Sequence, residues 1–106
     1  MICCLNKDEA ESALREWHRC LKPGGRLELY IPDFSKVAKE LIATRNEDLL
    51  KEIYGEQKHE LDYYQWGYTF ESMDRLLSKV NFVRVLKTDS PPMHPNAIGI
   101  LAYKPL

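Results

Sequence analysis
Apolar residues fall at Ala10, Ala13, Leu14, Trp17 and Leu21, three or four apart, the spacing that lines one face of a helix. Asn6 followed by Glu9 has the form of a capping box, so a helix is predicted over about 7–21. Pro23 pushes Lys22 out of the helical region, and Gly24-Gly25 gives the freedom a tight reversal needs. The period then changes to two. Leu27, Leu29 and Ile31 alternate with Arg26, Glu28 and Tyr30, which predicts a strand over about 26–31 with one better buried face, ending at Pro32-Asp33. Upstream, Met1 to Leu5 is a run of apolar and thiol residues that reads either as a short buried strand or as no strand at all.

Helical spacing returns after Asp33. That residue can cap a helix over about 34–44, with Val37, Ala38, Leu41 and Ile42 as its apolar positions. Asn46 can cap another over about 47–54, with Glu47 and Asp48 in its first turn and Leu49, Leu50, Ile53 and Tyr54 as the buried face. Thr69 starts a third, about 70–80, in which Tyr68 and Met73 form a hydrophobic staple, Phe70, Met73, Leu76, Leu77 and Val80 face inward, and Asn81 tolerates a left-handed exit. Strands are predicted over about 82–88 and 97–104, joined by a wide loop because Pro91, Pro92 and Pro95 lack donors. Ile98, Ile100 and Ala102 alternate with Gly99, Leu101 and Tyr103. Both faces read as buried, which suits a central strand. Between the second and third of these later helices, from Glu56 to Gly67, the periodicity fails and aromatics crowd, giving either a packed loop or the wall of a site.

Composition narrows the classes. At 106 residues the chain is expected to be a single domain, and its net charge of -1, with Lys and Arg scattered, offers no footprint for nucleic acid. Cys3, Cys4 and Cys20 make neither a disulfide framework nor a zinc spacing, so no metal is expected and a cytoplasmic setting is the simplest. The apolar start is short and followed at once by Asn6-Lys7-Asp8-Glu9, so neither export nor a membrane partner is indicated. His18 beside Trp17 reads as a boundary residue of the first helix.

The segment Glu16-Trp17-His18-Arg19-Cys20-Leu21-Lys22-Pro23-Gly24-Gly25-Arg26-Leu27 resembles the stretch before the fifth strand of class I S-adenosylmethionine-dependent methyltransferases. The likeness continues through Ile53-Tyr54-Gly55-Glu56-Gln57, His59, Asp62 and Trp66-Gly67-Tyr68-Thr69, which look like the C-terminal half of the type 11, ubiquinone-biosynthesis-like group. The resemblance implies an α/β chain with a partial Rossmann-like methyltransferase fold. Its small mixed sheet would order the strand at 26–31, then that at 97–104, then that at 82–88, with the last strand central and antiparallel to both neighbours. In that family the cofactor is held mainly by the first half of the domain, whose glycine-rich loop has no counterpart among these residues: Gly24, Gly25, Gly55, Gly67 and Gly99 include no Gly-x-Gly.

What the resemblance implies about function follows from that division. A methyltransferase-like half-domain without autonomous catalysis is expected, with no cofactor of its own and S-adenosylmethionine bound only where another chain or segment supplies the cofactor half. Its open strand edge or apolar helix faces would make it a homodimer or a protein-interaction module. If catalysis is retained, His59 would be the general base, with Asp62 orienting it, and Asp33, Gln57, Tyr63, Tyr64 and Trp66 would form the substrate wall. A third reading is a small-ligand binding protein that reuses the cleft behind the aromatic loop, motivated by Gln57, His59 and Trp66.

Overall fold
The computed structural model describes residues 2–58, 63–89 and 95–106. Helix α1 (Lys7–Cys20) opens with the expected capping box: the Glu9 amide donates to Asn6 Oδ1 at 2.9 Å and the Asn6 amide to Glu9 Oε1 at 3.1 Å. The turn after it is tied at both ends. Gly24, at φ 80°, donates its amide to the Lys104 carbonyl at 3.0 Å, while the Gly25 amide closes on the Lys22 carbonyl at 2.7 Å. Strand β1 (Arg26–Pro32) leaves, and the chain later contributes β2 (Val83–Thr88) and β3 (Ala97–Tyr103).

The sheet runs β1-β3-β2, with β3 central and antiparallel to both neighbours. The strand order expected from the sequence is therefore present. The expected mixed sheet is not: among the described residues every strand ladder is antiparallel, and parallel pairing is confined to an isolated bridge between Asp33 and Tyr68. One reason lies at the start of the chain, where the run after Met1 forms a 3-10 turn, Ile2–Cys4, and not a strand. The Leu5 amide donates to the Ile2 carbonyl at 3.1 Å, so the segment closes on itself, and Ile2 and Cys3 bury in the core.

Register decides which side chains share a face. Leu27, Leu29 and Ile31 of β1 lie opposite Ala102, Ile100 and Ile98 of β3, and this face carries the core. Ala10 and Leu14 of α1 and Met73 and Leu77 of α4 (Phe70–Lys79) belong to the same cluster, joined by Val80, Phe82 and Tyr68. Thr69 caps α4 as predicted, in a reciprocal pair with Ser72 (2.9 and 3.1 Å), and Asn81 takes the left-handed exit at φ 73°. His18 packs edge-on to Phe82, with 4.9 Å between ring centroids, so it is a boundary residue carried by α1.

On the opposite face the central strand's Gly99, Leu101 and Tyr103 were expected to be buried; Gly99 is, Leu101 and Tyr103 are half-buried, and the flanking Tyr30, Val83 and Leu86 are exposed. Arg84, at φ 52° inside a register slip between Val83 and Leu86, lays its guanidinium over Tyr103 at 4.7 Å.

Helix α2 (Phe34–Thr44) and a shorter α3 (Leu50–Tyr54) extend past the C-terminal end of β1 and touch one another. The predicted helix over 47–54 is a 3-10 turn, Glu47–Leu49, continuing into α3. Three of its expected inward residues and those of α2 need correcting. Ile42 is 72% exposed, Tyr54 56% and Leu50 39%, because these helices project beyond the sheet and only Val37 and Leu49 are fully covered. Among the described residues no helix is long and apolar enough to cross a membrane.

Candidate functional site
The end of β1 is where chain segments converge. Asp33, the residue after the strand, is only 4% exposed, and its carboxylate accepts the Ser35 amide at 3.0 Å to cap α2. Its own amide donates to the Asn96 carbonyl at 2.8 Å, which carries the β1 to β3 ladder one residue further. The Phe34 amide donates to the Tyr68 carbonyl at 2.9 Å, and the amide of Gln65 reaches the Cys3 carbonyl at 2.7 Å. Gln65 also donates through Nε2 to the Cys4 carbonyl at 3.0 Å. The aromatic segment from Tyr63 to Tyr68 is thereby stitched by backbone bonds to the 3-10 turn and to the start of α2.

Beside this stitched segment lies a cleft of about 520 Å³, within the size range of small-molecule sites. Tyr30 and Tyr64 give it aromatic walls. Asp48, Glu52 and Glu56 bring carboxylates and Lys51 an ammonium. Glu52 accepts from Asn96 Nδ2 at 3.2 Å, which fixes α3 against the start of β3, and Lys58 pairs with Glu56 at 3.3 Å. The cleft leans negative and is lined mainly by apolar atoms. It suits a ligand with an apolar body and no negative charge. Among the described residues no group of His, Cys, Asp and Glu could hold a metal ion.

The residues picked from the sequence divide. Tyr64 lines the cleft, while Asp33 is committed to its cap and does not. Trp66, 45% exposed, is not on the cleft's wall: it shares a small pocket with Tyr64 and Glu52 and also borders a groove of about 290 Å³ between α1 and α4, where the Lys7 ammonium sits 5.0 Å from its ring. Gln57 is exposed at φ 61°, and Tyr63 is 47% exposed; neither borders the cleft. His59 and Asp62 lie outside the described residues. Tyr30, Glu52 and Asn96 were missed. The signal for Asn96 was its place just after the proline-rich loop, where β3 begins opposite the end of β1; Glu52 carried no signal beyond its helical register.

Two buried ionisable groups lie just inside. Burial pushes the Cys3 thiol up to about 11, with a further rise from Cys4. Burial likewise pushes the Tyr68 phenol up to about 12, and Cys3 adds to it. The Tyr68 hydroxyl has no hydrogen-bond partner among the described residues.

Comparison with known proteins gives the fold and little else. No family model matches the chain, and no curated protein matches it. Among solved structures, the crystal structure of a possible exported protein from Bordetella parapertussis is similar over all of this chain, with a TM-score of 0.66 at 16% identity. The chain spans 37% of that neighbour's length. At this identity the likeness shows a shared fold: a small α/β domain with a three-stranded antiparallel sheet.

Proposed function
We propose that the chain is a methyltransferase-like half-domain, a partial Rossmann-like fold without autonomous catalysis that serves as a protein-interaction module. The observation that carries this reading is the strand order, in which the last strand lies between β1 and β2 and runs antiparallel to both. That arrangement is the one the methyltransferase resemblance implies. The span of 37% of a longer neighbour's chain accords with a fold that continues elsewhere in larger proteins. The interaction part rests on surface: one side of the sheet is open, and β1 has no strand on its outer side among the described residues.

A second reading has a specific observation behind it. The cleft of about 520 Å³ borders the C-terminal end of β1, and ligands of open α/β sheets gather beyond the carboxyl ends of their strands. With a cofactor half supplied by another chain, Tyr64 and Tyr30 would contact the acceptor, and binding of S-adenosylmethionine would fall to the other chain.

Calorimetric titration of S-adenosylmethionine into the purified chain tests the first reading. No saturable heat is expected up to millimolar ligand. Saturable binding with a micromolar Kd would overturn it, because the chain would then hold a cofactor site of its own.

A further inference from the structure
We propose that two copies of this chain pair antiparallel through β1, about a twofold axis at Leu29, to form one continuous sheet. The proposal rests on the interaction-module reading and names its partner as a second copy.

The backbone of β1 supplies the first argument. The Asp33 amide bonds to the Asn96 carbonyl and the Lys104 amide to the Gly25 carbonyl, so the odd-numbered residues of this stretch exchange bonds with β3. In an antiparallel ladder bonded and non-bonded residues alternate. The amides and carbonyls of Arg26, Glu28 and Tyr30 therefore point to the outer edge, where no described backbone group meets them. The other edge of the sheet is blunted. β2 carries a register slip between Val83 and Leu86 with Arg84 in a left-handed conformation, a feature that discourages edge pairing. Within β1 no such irregularity occurs, and its proline, Pro32, stands at the end.

Self-complementarity fixes the register. With the axis at Leu29, Glu28 lies opposite the partner's Tyr30 in both directions. Tyr30 already donates to the Glu28 carboxylate at 2.8 Å within one chain, so the pairing repeats across the axis a contact the two side chains are chemically suited to make. Leu29 meets the partner's Leu29 and Leu27 meets the partner's Ile31 on the core face, where Leu27 and Leu29 are only half-buried in a single chain. The ladder ends short of Pro32, because just beyond it the outer edge is already met by Tyr68, whose carbonyl accepts the Phe34 amide. An axis at Glu28 would place two carboxylates directly opposite one another, which is destabilising. An axis at Tyr30 would set Pro32 against Glu28 and push Arg26 beyond the partner strand, shortening the ladder.

Cysteine pairing reads the register directly, since directly opposite residues place their Cα atoms within disulfide range. In a Cys20→Ser background, which removes the exposed thiol, Glu28→Cys chains are mixed with Tyr30→Cys chains under mild oxidation. The mixture is expected to give a cross-linked dimer, and neither variant alone. Cross-linking of Glu28→Cys alone or of Tyr30→Cys alone would place the axis elsewhere and overturn the proposal, as would a dimer by light scattering that fails to cross-link in the mixture. Tyr30→Pro removes a donor that faces outward and so spares the bonds to β3; the dimer Kd is expected to rise about tenfold or more with the far-ultraviolet spectrum unchanged. A Kd left unchanged by Tyr30→Pro, or a strictly monomeric parent chain, would also overturn it. Neither result touches the half-domain reading, which stands or falls on S-adenosylmethionine binding.

Discussion

On one face of the sheet Ile31, Ile98 and Ile100 are at most 1% exposed, covered by α1 and α4, while on the other Tyr30, Val83 and Leu86 keep 48%, 41% and 52% of their surface in water. The same three strands make both faces. The difference teaches where stability resides: apolar area removed from water scales with the contribution to folding, so the covered face holds the domain together and the open face is free to serve something else. The sharpest way to break this contrast is to shorten an equivalent side chain on each side. Leu77→Ala, at a position of 0% exposure, is expected to cost about 2–5 kcal/mol. Leu86→Ala on the open face is expected to cost less than about 0.5 kcal/mol. Urea unfolding of both variants makes the measurement, and equal losses would mean that the open face is covered in solution.

The next effect is a pH dependence that belongs to the covered side. Cys3 rises from 9.0 to about 11 and Tyr68 from 10.0 to about 12, both first through burial. Each group is neutral when protonated. A raised native pKa means the unfolded chain gives up its proton first, so the stabilisation is whole below about pH 9 and is lost as pH rises toward about 12. Several kcal/mol should disappear between about pH 9 and pH 12, read as a falling urea midpoint. Cys3→Ala should flatten the fall, whereas Leu86→Ala should leave its slope as it is.

How much of this contrast could be read from the sequence depends on the range of the interaction involved. Asn6, Asp33 and Thr69 cap the helices they were expected to cap, and the Gly24-Gly25 reversal and the Asn81 exit lie where local chemistry demands them. These are contacts between residues a few positions apart, and residue type alone specifies them. Which face of β3 is covered was not legible, because Gly99, Leu101 and Tyr103 are apolar enough for burial and only the position of the helices decides. For the same reason Ile42, Leu50 and Tyr54 read as inward residues. Their spacing is helical, but α2 and α3 run past the end of the sheet. The site was legible only at Tyr64. Its other walls, Tyr30, Glu52 and Asn96, come from three separate elements that meet through the β1 to β3 register and the Glu52 to Asn96 bond.

The open face is not uniformly permissive, and Gly99 sharpens the comparison. It lies on that side yet is buried, with Thr88 and Tyr30 closing over it. A Cβ at this position would collide with Thr88 Oγ1 and meet Tyr30 Cε1 at 3.1 Å. Gly99→Ala is therefore expected to cost about 1–2 kcal/mol, more than Leu86→Ala although it adds an apolar group to an apolar surface. Adding Thr88→Ala should recover part of that loss, because the obstructing hydroxyl is removed. Recovery in the double variant, a non-additivity between neighbours, separates this steric cause from loss of backbone freedom.

The smallest effect is on the covered side and has the opposite sign. The Tyr68 ring fills the core at 2% exposure, but its hydroxyl lies buried with no hydrogen-bond partner among the described residues. A buried polar group without a partner keeps its desolvation cost and returns nothing for it. Tyr68→Phe keeps the ring and removes the oxygen, so stability at neutral pH should hold or rise by up to about 1 kcal/mol. The alkaline fall should become shallower in the same variant, because one of the two raised groups is gone. A loss of stability on removing the hydroxyl would show that the oxygen is bonded in solution, and the covered face would then owe part of its strength to a polar contact instead of to packing alone.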